Sequence, residues 1–247
     1  MPSIFITGAA GGIGRAVAEK FLAAGWTVGA YDINPVTWSP DVHAGLIDVR
    51  DASSWDAALA DFAAVAGGRI DVVDNNAGVI VDGPLAESGP EELARLIDVN
   101  CLGVTLGARS ALPYLRGGGT LVNMSSASAI HGQPGIAAYS ASKFYVAGLT
   151  EALSLEWRKE GVRVVDVWPL WAKTSLAEVQ AASVRRLGVR ITPEQVAEVV
   201  HRAATAKGRW GRGKVHYGVS ALDRALYLGR SLAPDRMTRL LTGVLAG

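Results

Sequence analysis

The sequence contains a single cysteine, Cys101, among 247 residues. One thiol cannot form an internal disulfide, and it cannot supply the ligand cluster that a cysteine-rich metal site requires. Its apolar, helical surroundings favour a buried position in the core, with a reactive thiol as the alternative. The sequence therefore predicts a fold without disulfides and a site without a metal ion.

Long apolar runs are also missing. Hydrophobic residues make up 49% of the chain, yet no run reaches the roughly 18 consecutive apolar residues of a transmembrane helix. A signal peptide is not expected, because Ile4-Phe5-Ile6 already has the pattern of a buried strand. These absences predict a cytoplasmic protein with a large buried core.

The charge is nearly balanced overall but unevenly distributed. The formal net charge is +1, whereas residues 201–247 hold nine Lys or Arg against two Asp or Glu. Such a basic end can contact anionic lipid, nucleic acid or an acidic partner. Because the positive charges are dispersed, we favour a solvated or subunit-contacting face for the basic helical segment at 219–247. Contact with a membrane surface is the alternative, and no nucleic-acid binding is predicted.

Short apolar runs alternate with longer helical patterns along the chain. This alternation is typical of βαβ units with right-handed crossovers. No linker or repeat divides the chain, so we predict one domain over residues 1–247. Its fold is a doubly wound (Rossmann) α/β sheet of about seven parallel strands with helices on both faces. The predicted strands are 3–7, 27–31, 44–48, 70–74, 120–124, 162–168 and 214–218, and the predicted helices are 12–24, 53–66, 91–112, 138–159 and 193–205.

A glycine-rich turn joins the first predicted strand to the first predicted helix. It runs Gly8-Ala9-Ala10-Gly11-Gly12-Ile13-Gly14. Glycines let the backbone approach a pyrophosphate closely, and the start of the helix offers free N–H groups to it. A plain connecting turn is the alternative, but the strand–turn–helix context favours a bound dinucleotide.

Asp32 ends the second predicted strand. A carboxylate there can accept hydrogen bonds from the adenosine ribose hydroxyls, and its charge would repel a 2′-phosphate. No Lys or Arg immediately follows Asp32, and the residue before Gly12 is Gly11. We therefore predict NAD as the cofactor and NADP as the less favoured one. A turn aspartate before Asn34-Pro35 is the alternative.

Tyr139 and Lys143 are four residues apart on a predicted helix, so their side chains project from one face. A phenol has an ordinary pKa near 10, and a neighbouring ammonium favours its ionised form. Ser126 lies thirteen residues upstream of the tyrosine. Beside a dinucleotide, this group predicts a site where a hydroxyl gains or loses a proton while the cofactor carries electrons.

Over nearly its full length the chain resembles the short-chain dehydrogenase/reductase superfamily. The resemblance implies an NAD-dependent enzyme that interconverts a secondary alcohol and a ketone, commonly as a homotetramer or dimer. An NADPH-dependent ketoreductase is the main alternative, and a non-catalytic dinucleotide-binding regulator is the other. The residues that carry the resemblance are Thr7-Gly8 with Gly12-Ile13-Gly14, the pair Asp48-Val49, the run Asn75-Asn76-Ala77-Gly78, and Asn100, Ser126, Tyr139 and Lys143 at the positions of the catalytic tetrad.

The resemblance also implies a role for each residue. Tyr139 is expected to act as general base in oxidation and general acid in reduction, with Lys143 lowering its pKa and holding the nicotinamide ribose. Ser126 would hydrogen-bond the substrate oxygen, and Asn100 would hold a water linked to Lys143. The expected cofactor-binding residues are Gly8, Gly11, Gly12, Ile13, Gly14, Asp32, Asp48, Val49, Asn76, Ala77, Gly78, Tyr139, Lys143, Pro169 and Thr174.

Two positions depart from the family pattern. Asp74 stands where the family usually has an apolar residue, and a carboxylate on a central strand is costly unless it is hydrogen-bonded. We therefore expect a partner or a water for it. Leu170 replaces the usual glycine after the sixth strand, which removes conformational freedom beside the expected nicotinamide site. Thr174 keeps its place, so that it can bond the carboxamide.

The segment near 171–191 is expected to border the substrate together with Ser126 and Tyr139. An apolar wall favours an apolar ligand through buried area, so we predict a hydrophobic secondary alcohol or ketone. Packing of this wall against the sheet is the alternative. The residues expected to form it are Leu170, Trp171, Leu176 and Val179.

Overall fold

A computed structural model describes residues 1–174, residue 184 and residues 188–232 of the chain. Its strands form one sheet in the order β3-β2-β1-β4-β5-β6-β7, and every neighbouring pair is parallel. The predicted doubly wound sheet is confirmed. The strands are β1 Ser3–Thr7, β2 Thr27–Asp32, β3 His43–Leu46, β4 Val72–Asn75, β5 Thr120–Met124, β6 Arg163–Trp168 and β7 His216–Gly218.

The helices fall between the strands, as βαβ units require. A π-helical turn, Asp98–Gly103, joins two of them, and short 3₁₀ turns lie at Leu85–Glu87 and Ala127–Ala129. The short helix Gly208–Gly213 was not predicted, and the part of the predicted basic segment at 233–247 lies outside the described residues. The helices are α1 Gly12–Ala23, α2 Ala52–Val65, α3 Pro90–Ile97, α4 Val104–Leu115, α5 Ala137–Glu156, α6 Pro193–Ala204, α7 Gly208–Gly213 and α8 Ala221–Leu232.

Local chemistry sets several helix ends. At the start of α6, Thr192 Oγ1 accepts from the Gln195 N–H at 3.4 Å while Gln195 Oε1 accepts from the Thr192 N–H at 3.0 Å. This reciprocal capping box provides acceptors for two N–H groups that have no partner within the helix. After α1, Gly25 takes a φ of +77°, a conformation that glycine adopts without strain and that ends the helix.

Strand β3 ends two residues earlier than predicted. Beyond Leu46 the chain turns, and the Asp51 N–H donates to the Asp48 carbonyl at 3.1 Å. Asp48 therefore lies in a turn before α2 rather than in the strand. Strand β4 is displaced toward Asn75, and β7 begins at His216 instead of Lys214.

Two apolar cores lie on opposite faces of the sheet. Helices α1 and α6 cover one face, where Val17, Phe21 and Val196 pack against the central strands. Helices α2 and α4 cover the other face, where Trp55 and Phe62 are fully buried. Among the described residues, no helix is long and apolar enough to cross a membrane.

The order of the strands places a cleft at the centre of the sheet. From β1 the chain moves outward to β2 and β3, and it then returns to β4 on the other side of β1. The connections that leave β1 and β4 therefore diverge, which opens a crevice at the carboxyl ends of these strands. Residues that follow the strands meet at this edge.

Candidate active site

A cleft of about 460 Å³ opens at the carboxyl ends of the strands. Among the predicted site residues that the structure describes, all except Gly14 and Asn100 line it. Each lining group follows a different strand or begins a helix, so the sheet brings together residues that are far apart in the sequence. The predicted residues that line the cleft are Gly8, Gly11, Gly12, Ile13, Asp32, Asp48, Val49, Asn76, Ala77, Gly78, Ser126, Tyr139, Lys143, Pro169, Leu170, Trp171 and Thr174.

The glycine turn packs tightly against the connection that leaves β4. Gly8 and Gly12 have φ values of +70° and +56°, which favour glycine. A Cβ built on Gly14 would lie 2.2 Å from the Gly8 carbonyl oxygen and 2.6 Å from Asn76 Nδ2. Asn76 Nδ2 in turn donates to the Thr7 carbonyl at 2.9 Å. These contacts hold the free N–H groups at the start of α1 toward the cleft, as an anion such as pyrophosphate requires.

Replacing Gly14 with alanine is expected to destabilise the protein by roughly 1–3 kcal/mol, because the new methyl group overlaps the backbone of the turn. Thermal unfolding without any ligand measures this effect. Gly11→Ala is the matched control, since a Cβ at Gly11 meets no atom within 4 Å and its φ of −163° suits any residue. Equal melting temperatures for the two variants would contradict the packing described here.

Asp32 holds two parts of the cleft at once. Its Oδ2 accepts from the Ala10 N–H at 3.0 Å, and its Oδ1 accepts from the Asn34 N–H at 2.9 Å. The carboxylate thus ties the glycine turn to the end of β2 while it lines the cleft. Asp32 is therefore a turn aspartate that also lines the cleft, and its predicted contact with the adenosine ribose stays a prediction.

Asp48 is already engaged by a side chain that the sequence interpretation missed. Both of its carboxylate oxygens accept from Arg50, at 2.9 Å and 3.2 Å from Nε and at 2.6 Å from Nη2. The hydrogen bonds from Arg50 hold the pKa of the Asp48 carboxyl below its usual range. The signal available in the sequence was the position of Arg50, which lies two residues after Asp48 and just beyond the predicted strand.

Ser126, Tyr139 and Lys143 meet at the opposite end of the cleft. Ser126 follows β5 and caps the 3₁₀ turn Ala127–Ala129, because its Oγ accepts from the Ser128 N–H at 3.1 Å. Tyr139 and Lys143 lie one turn apart near the start of α5, and all three side chains are at least nine-tenths buried. The ammonium of Lys143 is 5.6 Å from the centroid of the Tyr139 ring and donates to the Met124 carbonyl at 2.8 Å.

Burial dominates the electrostatics of this group. It raises the pKa of Tyr139 to about 12, against a smaller lowering by the hydrogen bond with Ser126. Burial also lowers the pKa of Lys143 to about 8. The expectation that Lys143 brings the pKa of Tyr139 below its ordinary value is therefore wrong for this structure. Removing a phenolate from water costs more than the hydrogen bond with Ser126 returns.

Asn100 lies in the π-helical turn Asp98–Gly103, which interrupts the single helix predicted at 91–112. Its Oδ1 accepts from the Val79 N–H at 2.9 Å, and its Nδ2 donates to the Val79 carbonyl at 2.8 Å and to Ser142 Oγ at 3.1 Å. Asn100 thus fastens the connection after β4 to helix α5. The water-holding role expected for it stays a prediction.

Asp74 has no partner in the described part of the chain. It is fully buried, and neither of its carboxyl oxygens forms a hydrogen bond there. Its neighbours on the adjacent strands are the apolar Ile6 and Val122. The expected hydrogen-bond partner is therefore not found among the described residues, and burial raises the pKa of the Asp74 carboxyl to about 8.

The turn after β6 forms the wall beside Tyr139. Leu170 and Trp171 line the cleft, and Leu170 also packs against the buried core. No described residue other than glycine has a positive φ, so leucine replaces the usual glycine at 170 without backbone strain. Leu176 and Val179, which were expected in the same wall, lie outside the described residues.

The cleft is also lined by residues that the sequence interpretation did not assign to the site, and four of them have polar side chains at its surface. Two of them, Arg50 and Arg95, are basic, and two, Ser128 and Gln133, are neutral and polar. Within the described ranges, no group of three or more His, Cys, Asp or Glu side chains is placed to hold a metal ion. The lining of the cleft offers hydroxyl, amide, phenol, ammonium, guanidinium and carboxylate groups.

Residues 2–184 match the family described as short chain dehydrogenase. Meso-2,3-butanediol dehydrogenase of Serratia marcescens is 34% identical over 216 residues, which cover 80% of this chain and 84% of the relative. D-threitol dehydrogenase of Mycolicibacterium smegmatis is 35% identical over 183 residues, which cover 69% of this chain and 70% of the relative.

Solved structures show the same architecture. A 3-ketoacyl-(acyl-carrier-protein) reductase from Brucella melitensis, complexed with NADH, superposes with a TM-score of 0.80 at 25% identity over 88% of this chain and 96% of that protein. A short chain dehydrogenase/reductase from Burkholderia phymatum, in complex with NAD, superposes with a TM-score of 0.79 at 25% identity over 92% of each chain.

Proposed function

Because this chain belongs to the short-chain dehydrogenase family, whose members are oxidoreductases that bind a nicotinamide dinucleotide, we propose that it interconverts a secondary alcohol and a ketone with NAD. The observation that carries the proposal is that Ser126, Tyr139 and Lys143 line the same cleft as the glycine turn. A proton-transfer group and a dinucleotide-binding turn within one cleft are what hydride transfer at an alcohol carbon requires.

The residues present fit a dinucleotide. The glycine turn offers backbone N–H groups at the start of α1, where an anionic pyrophosphate is favoured. Beside this turn, Asp32 and Asp48 supply carboxylate acceptors for the adenosine portion. When bound, the nicotinamide supplies the site that accepts or donates the hydride.

Side chains of the protein then transfer the proton to or from the substrate oxygen. At neutral pH the buried Tyr139 hydroxyl is protonated, since its pKa is raised to about 12, and in this form it donates a proton to a carbonyl oxygen during reduction. In the reverse direction the deprotonated form of Tyr139 receives the alcohol proton. Ser126 donates a hydrogen bond to the same oxygen and stabilises the charge that develops there. Lys143 keeps a positive charge beside the tyrosine ring below a pH of about 8.

A small alcohol suits the described cleft. Leu170 and Trp171 supply an apolar wall, while Ser126 and Tyr139 supply the polar contacts. The relatives named above are dehydrogenases of butanediol and threitol, which supports a small-molecule alcohol as the substrate. A panel of secondary alcohols and ketones, each assayed with both dinucleotides, tests the proposal, and a failure to turn over any of them would remove it.

Replacing Asp32 with asparagine is expected to raise kcat/KM with NADP by about tenfold or more, because the variant removes a charge that repels a 2′-phosphate. The wild type is expected to prefer NAD. Asp32→Ala serves as the comparison variant, since it removes both acceptors for the Ala10 and Asn34 N–H groups, whereas asparagine keeps one, and it should weaken binding of both cofactors. A wild-type preference for NADP would contradict the choice of cofactor.

A further inference from the structure

The glycine turn contains one peptide unit whose two polar ends are both held by side chains. The Ala9 carbonyl accepts a hydrogen bond from the indole Nε1–H of Trp38 at 2.9 Å. The Ala10 N–H, which belongs to the same peptide unit, donates to Asp32 Oδ2 at 3.0 Å. Since a peptide unit is planar and trans, these two bonds act on opposite edges of one rigid plane and fix its orientation.

This peptide unit needs support from outside the turn because glycines flank it. Gly8 precedes Ala9 and Gly11 follows Ala10, and glycine restricts the backbone less than any other residue. Ala9 is fully buried, so its carbonyl oxygen has no access to bulk water. Loss of the indole donor would leave this oxygen buried without that bond, which costs free energy and favours a rotated peptide.

Trp38 is itself held in place on both sides. It packs together with Val36 against the core that α1 covers, and the guanidinium carbon of Arg15 lies 5.4 Å from the centroid of a Trp38 ring. A cation over an aromatic face is attracted by the ring. Trp38 lies outside the described lining of the cleft, so it affects a ligand in the cleft through the turn.

The orientation of the Ala9–Ala10 peptide matters for an anionic ligand. Ala10, Gly11 and Gly12 line the cleft, and the N–H groups at the start of α1 are those that attract a pyrophosphate. A carbonyl oxygen rotated into this part of the cleft would repel the same ligand, because both carry negative charge. The hydrogen bond from Trp38 keeps the Ala9 carbonyl directed at the indole instead.

We propose that Trp38 is a positioning residue that preorganises the glycine turn for the diphosphate group of the cofactor. This inference rests on the dinucleotide binding in the proposed function. Preorganisation lowers the free energy that binding must spend on ordering the protein. Trp38 therefore strengthens the binding of ligands that carry a diphosphate and has little effect on ligands without a phosphate.

The test compares the binding of two fragments of the cofactor, ADP and adenosine, to the wild type and to Trp38→Phe. Phenylalanine keeps an aromatic ring at this position and has no N–H group. By calorimetric titration we expect the Kd of ADP to rise roughly 5- to 50-fold in Trp38→Phe, as the loss of a donor to a buried carbonyl implies. The Kd of NAD⁺ should rise by a similar factor, while the Kd of adenosine stays nearly unchanged.

Two further proteins separate the hydrogen bond from the packing of the ring. Benzothienylalanine, introduced at position 38, has the shape of tryptophan with sulfur in place of the N–H, and it is expected to weaken ADP as Trp38→Phe does. Trp26→Phe is the matched control. Trp26 packs against Phe21 near the end of α1, with ring centroids 4.8 Å apart, and it lies outside the described lining of the cleft. This variant should bind ADP as the wild type does.

Each remaining outcome contradicts a definite statement. An equal loss of affinity for ADP and adenosine would show that Trp38 only maintains the structure, which overturns the proposal. Normal ADP binding in the benzothienyl protein would overturn it too, since the indole N–H would then have no effect. A wild type that binds ADP and NAD⁺ no better than Trp38→Phe contradicts the Trp38 proposal alone. A wild type that binds neither ADP nor a dinucleotide contradicts the proposed function as well.

Discussion

Replacing Tyr139 with phenylalanine is expected to lower kcat by about 100- to 10,000-fold, which is the usual contribution of a positioned acid or base. The dinucleotide should still bind with nearly unchanged affinity, because the glycine turn and Asp32 are left intact. Steady-state kinetics and a cofactor titration measure the two quantities separately. The effect is expected in both reaction directions, since the same phenol oxygen gives the proton in reduction and receives it in oxidation.

Tyr145→Phe provides the matched control on the same helix. Its ring is 45% exposed, and its hydroxyl pairs with Thr105 Oγ1 at 2.7 Å, outside the described lining of the cleft. Losing that hydroxyl is expected to leave turnover close to that of the wild type. Near-normal turnover in Tyr139→Phe would refute the assignment of Tyr139 as the acid and base.

Replacing Asp74 with valine is expected to raise the free energy of unfolding by about 1–3 kcal/mol or more at neutral pH. The variant removes a fully buried carboxyl that has no described partner, and an unsatisfied buried group costs this much or more. Valine has a similar volume and suits a strand between Ile6 and Val122. Denaturant unfolding, followed with a single two-state fit, gives the difference in the free energy of unfolding.

The gain should depend on pH in a direction that the raised pKa determines. Between the ordinary pKa of an aspartate, near 4, and the folded pKa of about 8, the folded protein holds a proton that the unfolded chain releases. The stability of the wild type therefore falls as pH rises through this window, by at most about 1.4 kcal/mol per pH unit from this group. The advantage of Asp74→Val should grow from pH 4 to pH 8 and level off above it.

Asp74→Asn separates the charge from the shape. Asparagine is nearly isosteric and does not titrate, so the pH dependence should flatten as in the valine variant. It keeps polar atoms in the apolar layer, so its stability should lie below that of Asp74→Val at every pH. A difference between Asp74→Val and the wild type that is constant from pH 4 to pH 8 would contradict the raised pKa.

Much of the fold was predictable because its signals are local. The alternation of apolar runs with helical patterns is written into neighbouring residues, and it predicted the parallel sheet. The glycine turn at Gly8–Gly14 and the capping box at Thr192 also act within a few residues. Strand β3 was placed less accurately, since a turn at Asp48 ends it where the apolar pattern still continues.

The site was likewise predictable only where its signals are local. Spacing and resemblance predicted Ser126, Tyr139 and Lys143, and the structure places all three in one cleft. Helical periodicity does not reveal the π-helical turn that contains Asn100, because a single inserted residue leaves the apolar pattern on both sides almost intact. Nor did any local pattern identify Gln133 as a residue that lines the cleft.

By itself, the sequence determined which groups can perform chemistry and the order in which they follow the strands. Residue types and short spacings are local properties, so they are readable without coordinates. Only the tertiary structure decided how those groups ionise and which of them lack partners. Burial depends on residues that are distant along the chain: it raises the pKa values of Tyr139 and Asp74, lowers that of Lys143, and leaves the Gln133 oxygen without a partner among the described residues.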